Sequence, residues 1–386
     1  LSDRTKFYVE ETVVNTTSFS GGIHRSASQP LIVAQNCWMI GYRNPASLLQ
    51  CNTYLRIFSG PRHGISFCID PGSQFDVSII EANVSALTGH SGLDYITVNH
   101  QDPDVTGNLP AFCRSNPAAT VMLTEDTWRL VQHLLVQPGK LQFPPALGSR
   151  RQILSQGIAW QPVPTPFCHF RGAMAWYDPE SRILFSGDLF GGLNQLGRVH
   201  LFAEEADWSG IAQFHQIYMP SREVLRYTLR QIRALTPSVQ TIAPQHGHVI
   251  AGDLVPLFLE RMEQLLVGHD LLALELEARF VREYRELAAV MIDYATEVMG
   301  SEEVESRLVA TDVDDQLPQL LALVAGQWQI QQTPYACSAK VFRRLSQGEE
   351  SALAEEMRSR VLRFCSDRAV PVPPIGWGME SRPANV

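Results

Sequence analysis

The chain has 386 residues, 45% of them hydrophobic, enough for one large domain and a smaller second unit. Its 31 basic and 40 acidic residues give a formal net charge of −9 with no basic block, which argues against nucleic acid as the main partner. No stretch approaches about eighteen uncharged apolar residues, so no membrane-spanning helix is expected. Seven cysteines (Cys37, Cys51, Cys68, Cys113, Cys168, Cys337 and Cys365) are dispersed without a Cys-x-x-Cys pair, against a disulfide framework, a zinc ribbon or an iron–sulfur cluster. The opening Leu1-Ser-Asp-Arg-Thr-Lys has no initiator Met and neither the basic nor the apolar region of a secretion signal, so processing or trimming and a cytoplasmic location are expected.

In chain order, residues 28–34, 37–40 and 53–58 read as short strands, and 64–73 as a strand ending in a turn. Residues 77–87 have helical apolar spacing. The β-branched run 94–99 reads as a buried strand that leads into a loop carrying His100, Asp102 and Asp104 and closed by Gly107. A strand over 117–123 and a helix over 125–135 follow. Residues 160–169 form a Pro-stiffened segment ending in His169, and 174–188 have the pattern of a hairpin whose second strand delivers Asp188. Gly191-Gly192 then marks a tight loop, since no phosphate-binding glycine series accompanies it.

Trp208 and Tyr218 lie in an aromatic stretch that could border a site, with packing as the more ordinary use. Residues 221–235 form an amphipathic helix with Ser221 at its N-cap and Arg222, Arg226, Arg230 and Arg233 on a solvated face. Residues 239–248 give another strand running into His246 and His248. Beyond them the composition turns rich in Leu, Glu, Ala and Arg: a long helix or helix pair is expected over 253–298, further helices over 301–309, 316–327 and 351–365, and a Pro-rich tail from residue 370. The expected division is 1–265 and 266–386, with the helical extension packing on the first unit, forming a dimer or connecting to a signalling partner.

Taken alone, His-x-Asp-x-Asp could be an ordinary surface turn. Three separate strand-to-loop junctions offering His or Asp groups make a shared centre the better reading, because layered α/β folds gather their chemistry at strand ends. Cys168, beside His169, reads as an inert buried residue.

These motifs, Asp94-Tyr-Ile-Thr-Val-Asn-His-Gln-Asp-Pro-Asp, Pro164-Thr-Pro-Phe-Cys-His, Ile183-Leu-Phe-Ser-Gly-Asp-Leu-Phe-Gly and Ile242-Ala-Pro-Gln-His-Gly, occur in the order seen in the metallo-β-lactamase superfamily. Across roughly 25–265 the chain resembles its diiron branch, which includes the oxygen-binding diiron proteins and the metal domain of flavodiiron proteins. The resemblance implies a four-layer αββα sandwich, here with a helical C-terminal extension. It also implies two iron ions joined by an oxo or hydroxo bridge, with zinc or manganese as alternatives. His100, Asp102 and His169 would hold the first iron, Asp104 and His246 the second, and Asp188 both; Asp104 and Asp188 would be the catalytic carboxylates.

Asp102 stands where hydrolases of the superfamily have histidine, and a more carboxylate-rich site suits iron. Val105 stands where the family often has a further histidine. Valine cannot coordinate, so the second iron is expected to keep a position open for water, dioxygen or a side chain from elsewhere. His24, His90 and His248 are candidates for filling or orienting the surrounding shell.

The implied function is a nonheme diiron protein that binds or reduces dioxygen, or nitric oxide, as a sensor or as an oxidoreductase. No flavodoxin pattern follows the metal unit, so turnover would call for an external reductase, whereas reversible binding needs none. Two alternatives stand beside it: dinuclear metal-dependent hydrolysis of an ester or lactone, and a degenerate domain serving interactions. Retention of six of seven ligand positions argues against the last. No nucleic acid or membrane partner is expected; a homodimer is one assembly that the helical extension allows.

Overall fold

A computed structural model describes residues 29–59, 64–89, 92–144, 152–153, 157–274, 278–310, 317–324, 326–347 and 352–375. Alternation of side chains along the strands decides the layering. On β3 (Tyr54–Phe58), Tyr54 and Phe58 enter a cluster with Phe67, Trp160, Trp176 and Phe185. Leu55, between them, turns the other way, toward Ile80, Ile96, Phe112 and Val121. On β11 (Ile183–Gly187), Ile183 and Phe185 join the first cluster, while Leu184 packs with Phe214, Leu225 and Phe258. A strand apolar on both faces must be covered on both, and that requirement produces the sandwich.

The first sheet runs in chain order through β1 (Leu31–Ala34), β2 (Cys37–Met39), β3, β4 (Ile65–Ile69), β5 (Tyr95–Thr97), β6 (Thr120–Met122) and β7 (Lys140–Gln142). It is antiparallel as far as β4 and parallel thereafter. The second contains β8 (Gln152–Ile153), β9 (Ala159–Pro164), β10 (Met174–Asp178), β11, β12 (Thr241–Pro244) and β13 (Ile250–Ala251), in the order β13-β12-β11-β10-β9-β8.

Helices α1 (Val77–Thr88), α3 (Leu109–Ser115) and α4 (Glu125–Val131) cover the outer face of the first sheet. Helices α5 (Trp208–Tyr218), α6 (Arg222–Arg233) and α7 (Leu254–Gln264) cover that of the second. The architecture is therefore the expected four-layer αββα sandwich. Between the sheets, Arg56 of β3 reaches Asp178 at the end of β10, with Nε 2.8 Å from Oδ2 and both side chains almost wholly buried.

The expected loop after His100 is instead largely helical: α2 (Pro103–Thr106) follows Asp102 directly, and α3 begins two residues after Gly107. Pro103 and Pro110 sit in the first turns, where a fixed φ favours helix and no amide is lost, and those prolines were the available sequence signal. Ser221 does precede α6 but makes no side-chain cap bond. The arginine face of α6 is not simply solvated, since the Arg226 Nε–H donates to the Glu263 carbonyl and Arg233 pairs with the Glu263 carboxylate at 2.7 Å.

The helical extension differs from expectation in three places. Residues 253–298 hold α7, α8 (His269–Leu274) and α9 (Ala278–Met299), broken at Gly268, whose φ of +46° disfavours any side chain. After α10 (Ser301–Val309), the helix expected over 316–327 is one short turn, α11 (Leu317–Leu320), followed by a hairpin of β14 (Leu321–Val324) and β15 (Gln327–Ile330). Gly326, at φ +77°, supplies the turn that a helix reading of this Leu-rich run overlooked. Helix α12 (Pro334–Ser346) was not anticipated, whereas α13 (Ala352–Arg368) was. These elements close a core of their own, from Leu271 to Ile375. The extension docks through α5, where the Val372 N–H donates to Gln216 Oε1 at 2.8 Å, and a cleft of about 1220 Å³ runs along the junction.

Candidate metal centre

The functional side chains converge where β5, the loop after β9, β11 and β12 end. His100 follows β5, Asp102 and Asp104 flank the start of α2, and His169 lies in the connection between β9 and β10. Asp188 follows β11 and His246 follows β12. Asp102 occupies the N-cap position of α2 with extended backbone but makes no cap hydrogen bond; its carboxylate turns to the two histidines instead. Gly187 and Gly247 release their neighbours into the site. At φ +61° and +78°, a Cβ would meet Asn99 at 2.8 Å in the first case and the Gly192 backbone at 2.9 Å in the second. The Gly191-Gly192 loop thus serves close backbone packing beside His246.

His100, Asp102, His169 and Asp188 bring donor atoms within 4.8 Å of one another. His169 Nε2 lies 3.0 Å from both Asp102 Oδ2 and Asp188 Oδ2, and His100 Nε2 lies 3.6 Å from Asp102 Oδ2 and 3.5 Å from Asp188 Oδ1. A second group, Cys51, Asp104 and His246, has the same compactness. His246 Nε2 stands 3.3 Å from Asp104 Oδ2 and 3.5 Å from Asp188 Oδ1. Asp188 therefore faces both groups. All six residues named from the sequence meet in one place.

Burial makes this arrangement costly unless something is bound. His100 is 1% exposed and Asp188 4%, yet His100 Nε2 and Asp188 Oδ1 have no hydrogen-bond partner. Without a metal the cluster must hold protons. Burial opposes a charged His169, but the Asp102 and Asp188 carboxylates outweigh it and push the imidazole up to about 10. Burial likewise disfavours ionised Asp188, and the surrounding histidines still hold it down at about 2. His246 rises well above its ordinary value against its own burial, chiefly through Asp104. Three imidazoles and three carboxylates aimed inward with orphaned donor atoms fit a pair of divalent ions.

Supporting contacts orient the donors. His246 Nδ1 is 2.7 Å from the Gln50 carbonyl, which can only accept, so Nε2 is left to face the site. The ring of Phe214 lies 5.2 Å from His246 and that of Tyr218 5.6 Å from His169, placing one face of α5 against both groups. Trp208 instead packs on Phe258.

His215, on the same helix, is fully buried and keeps both ring nitrogens occupied: Nδ1 donates to the Ile211 carbonyl at 2.7 Å and Nε2 accepts the Phe190 N–H at 2.9 Å. Burial lowers its pKa to about 4. From the ordinary 6.5 down to about 4 the unfolded chain takes up a proton that native His215 does not, so stability is lost as pH falls through that window. The loss is expected to reach about 3 kcal/mol. Unfolding at neutral pH and at about pH 4.5 should show a smaller acid-induced drop in His215→Gln than in the parent; equal drops would remove His215 as the cause.

The expected roles of two residues need correction. Val105 does not border an open position. It is fully buried in α2 and belongs to the apolar cluster with Ile80, Leu109 and Phe112. Val105→His should therefore not raise metal content, and it should cost about 2–4 kcal/mol by placing a polar ring in a packed core; a gain of metal would contradict this placement. His248 does not reach the centre either. Its ring stacks on His200 at 4.4 Å, and its Nδ1 lies 2.8 Å from the His200 carbonyl and 3.0 Å from Arg43 Nη2. His24 and His90 lie outside the described residues.

His200, Asp207 and His248 form a third compact group. Arg198 stands 3.1 Å from His200 Nε2 and 3.3 Å from Asp207 Oδ1, so a guanidinium already occupies two of its three members, while His248 Nε2, 3.7 Å from Asp207 Oδ1, has no hydrogen-bond partner. Cys51 was missed because its spacing from the other donors in sequence carries no signal.

This geometry defines a metallo-β-lactamase-like sandwich with a diiron-type metal-binding site. A family model described as "ODP family beta lactamase" matches residues 49–247, just over half of the chain, and the chain belongs to that family. A structure described as the apo state of chemotaxis sensor ODP from T. denticola is 26% identical, covers 63% of this chain and 96% of its own, and superposes with a TM-score of 0.53. A structure of the peroxy diiron species of chemotaxis sensor ODP is 25% identical, with coverages of 63% and 97% and a TM-score of 0.51.

Among curated relatives, diflavin flavoprotein A 1 of Synechocystis sp. is 26% identical over 218 residues, 49% of this chain and 36% of that protein. The nitric oxide reductase of Moorella thermoacetica is 27% identical over 169 residues, 42% of this chain and 41% of that protein. The chain thus spans less than half the length of these curated relatives. Among the described residues, no helix is long and apolar enough to cross a membrane.

Proposed function

We propose that this protein holds two iron ions and binds dioxygen, or another small diatomic molecule, as a sensor. His100, Asp102 and His169 hold one ion, Asp104 and His246 hold the other, and Asp188 holds both. One observation carries the reading: Asp188 is a buried carboxylate whose Oδ2 faces His169 at 3.0 Å while its unpartnered Oδ1 faces His100 and His246 at 3.5 Å. When bound, the iron pair supplies electrons to a diatomic ligand, and the protein supplies the rest.

Gln50 keeps the His246 proton on Nδ1, Phe214 and Tyr218 wall the site on the α5 side, and Asp104 and Asp188 would hold the second ion beside His246. Burial pushes the Tyr218 phenol up, so its hydroxyl keeps its proton at neutral pH. The sensor reading is supported by ODP relatives that this chain covers almost end to end.

In this proposal the metal unit spans 1–265 and the extension 266–386 is the output element, a division suggested by the separate core that begins near Leu266. Multi-turnover reduction would draw on an external reductase, and two copies would pair through the extension. A reducing cytoplasm suits seven free thiols.

The test is metal analysis of protein purified without added metal, with spectra of the anaerobically reduced form before and after dioxygen. Two irons per chain and an oxygen-dependent charge-transfer band are expected. Stoichiometric zinc and no spectral response would overturn the proposal.

A further inference from the structure

We propose that the Cys51 thiolate is a direct ligand of the second metal, beside Asp104, His246 and Asp188. This inference rests on the dinuclear reading above and assigns a fourth donor to its second ion. Cys51 lies in the segment before β3, far in sequence from every other donor, and its Sγ lies 3.9 Å from Asp104 Oδ2. The Cys51, Asp104 and His246 donor atoms all fall within 4.8 Å of one another, a spread that one ion with bonds of about 2.0–2.3 Å can span.

Two further observations point the same way. Asp188 Oδ1, more than nine-tenths buried and without a hydrogen-bond partner, faces the same point 3.5 Å from His246 Nε2. The Gln50 carbonyl accepts from His246 Nδ1, so one residue fixes the His246 ring and the backbone that carries Cys51.

Charge favours a thiolate as well. Asp102, Asp104 and Asp188 bring three negative charges to two divalent ions, and the imidazoles bring none. With no hydroxide bridging the ions, one further anion makes the buried centre neutral, which removes the cost of burying a net charge. On metal binding the S–H bond breaks, the S–metal bond forms and the proton leaves to solvent, with no change of oxidation state. A soft donor on one ion alone also makes the two metals unequal.

Access makes the cysteine readable. Six of the seven thiols are buried and Cys51 is half-buried, so mild alkylation of the folded, metal-free chain should mark Cys51 first.

The full chain, stripped of metal and titrated anaerobically with cobalt(II), should bind two equivalents and develop a sulfur-to-cobalt charge-transfer band. Cys51→Ser should keep one tight equivalent, lose the band and bind the other at least about 100-fold more weakly, since even outer-shell partners are worth about 10–100-fold. Loaded parent protein should resist iodoacetamide at Cys51 while the stripped protein reacts. X-ray absorption of the zinc-loaded parent requires no variant, and it should show a sulfur scatterer near 2.3 Å, about the usual zinc–thiolate length. Two equivalents with neither band, sulfur scatterer nor protection would overturn the ligand assignment and leave the dinuclear reading intact. A parent that binds fewer than two would overturn the dinuclear reading, and this inference with it.

Discussion

Asp188→Ala is expected to abolish binding of both metals, taking bound iron from two per chain to well under one. Its carboxylate faces both donor groups, so under the proposed assignment its removal takes a ligand from each and leaves a gap between histidines that face the same space. His246→Ala, by contrast, should release only the second metal, because His246 pairs with Asp104 and Asp188 but has no contact with Asp102. Outer-shell losses alone cost about 10–100-fold in metal affinity, and loss of a shared direct donor should exceed that for each ion. Elemental analysis of purified variants decides the matter. Unchanged iron in Asp188→Ala would mean that the donors seen here do not hold the metals.

The second large effect concerns the fold. Arg56→Met should destabilise the protein by about 3–5 kcal/mol, because it leaves Asp178 as an uncompensated charge between two sheets. The Arg56 guanidinium also bonds the Ile57 carbonyl and covers the Phe58 ring at 4.1 Å, so packing is lost with the charge. Changing both partners, Arg56→Met with Asp178→Asn, should recover part of the loss, since the remaining amide can be satisfied without a counter-charge. Denaturant unfolding of the single and double variants measures this. A single-variant loss below about 1 kcal/mol would show that water or another cation compensates Asp178.

Helix α5 links the centre to the extension. Phe214 and Tyr218 lie beside His246 and His169, while Gln216 of the same helix binds the backbone of Val372. A single rigid element thus touches both the metal site and the second core, the kind of connection through which ligand state at one can bias packing at the other.

The local sequence determined a great deal. Runs such as 94–99 and 183–187 are short, rich in β-branched and large apolar residues and bounded by turn residues, which favours strands, and the donors His100 and Asp188 follow those runs. His169 and His246 were legible for the same reason, each leaving a strand beside residues that restrict the backbone. Chain pattern therefore placed the strands and put His and Asp groups at their ends, because the period of burial and the ends of strands are local properties; the sandwich and the grouping of six donors came from the order of the motifs and the family they resemble.

Tertiary structure decided the rest. Val105 and Asp104 are neighbours in sequence, yet α2 turns one into the core and the other into the site, a difference that follows from helix geometry a Pro-containing loop reading does not supply. Cys51 comes to Asp104 and His246 only because the two sheets pack face to face across that gap, and His248 is drawn away by stacking on His200. Contacts between residues tens to hundreds of positions apart leave no periodic trace, so only the folded chain could reveal them.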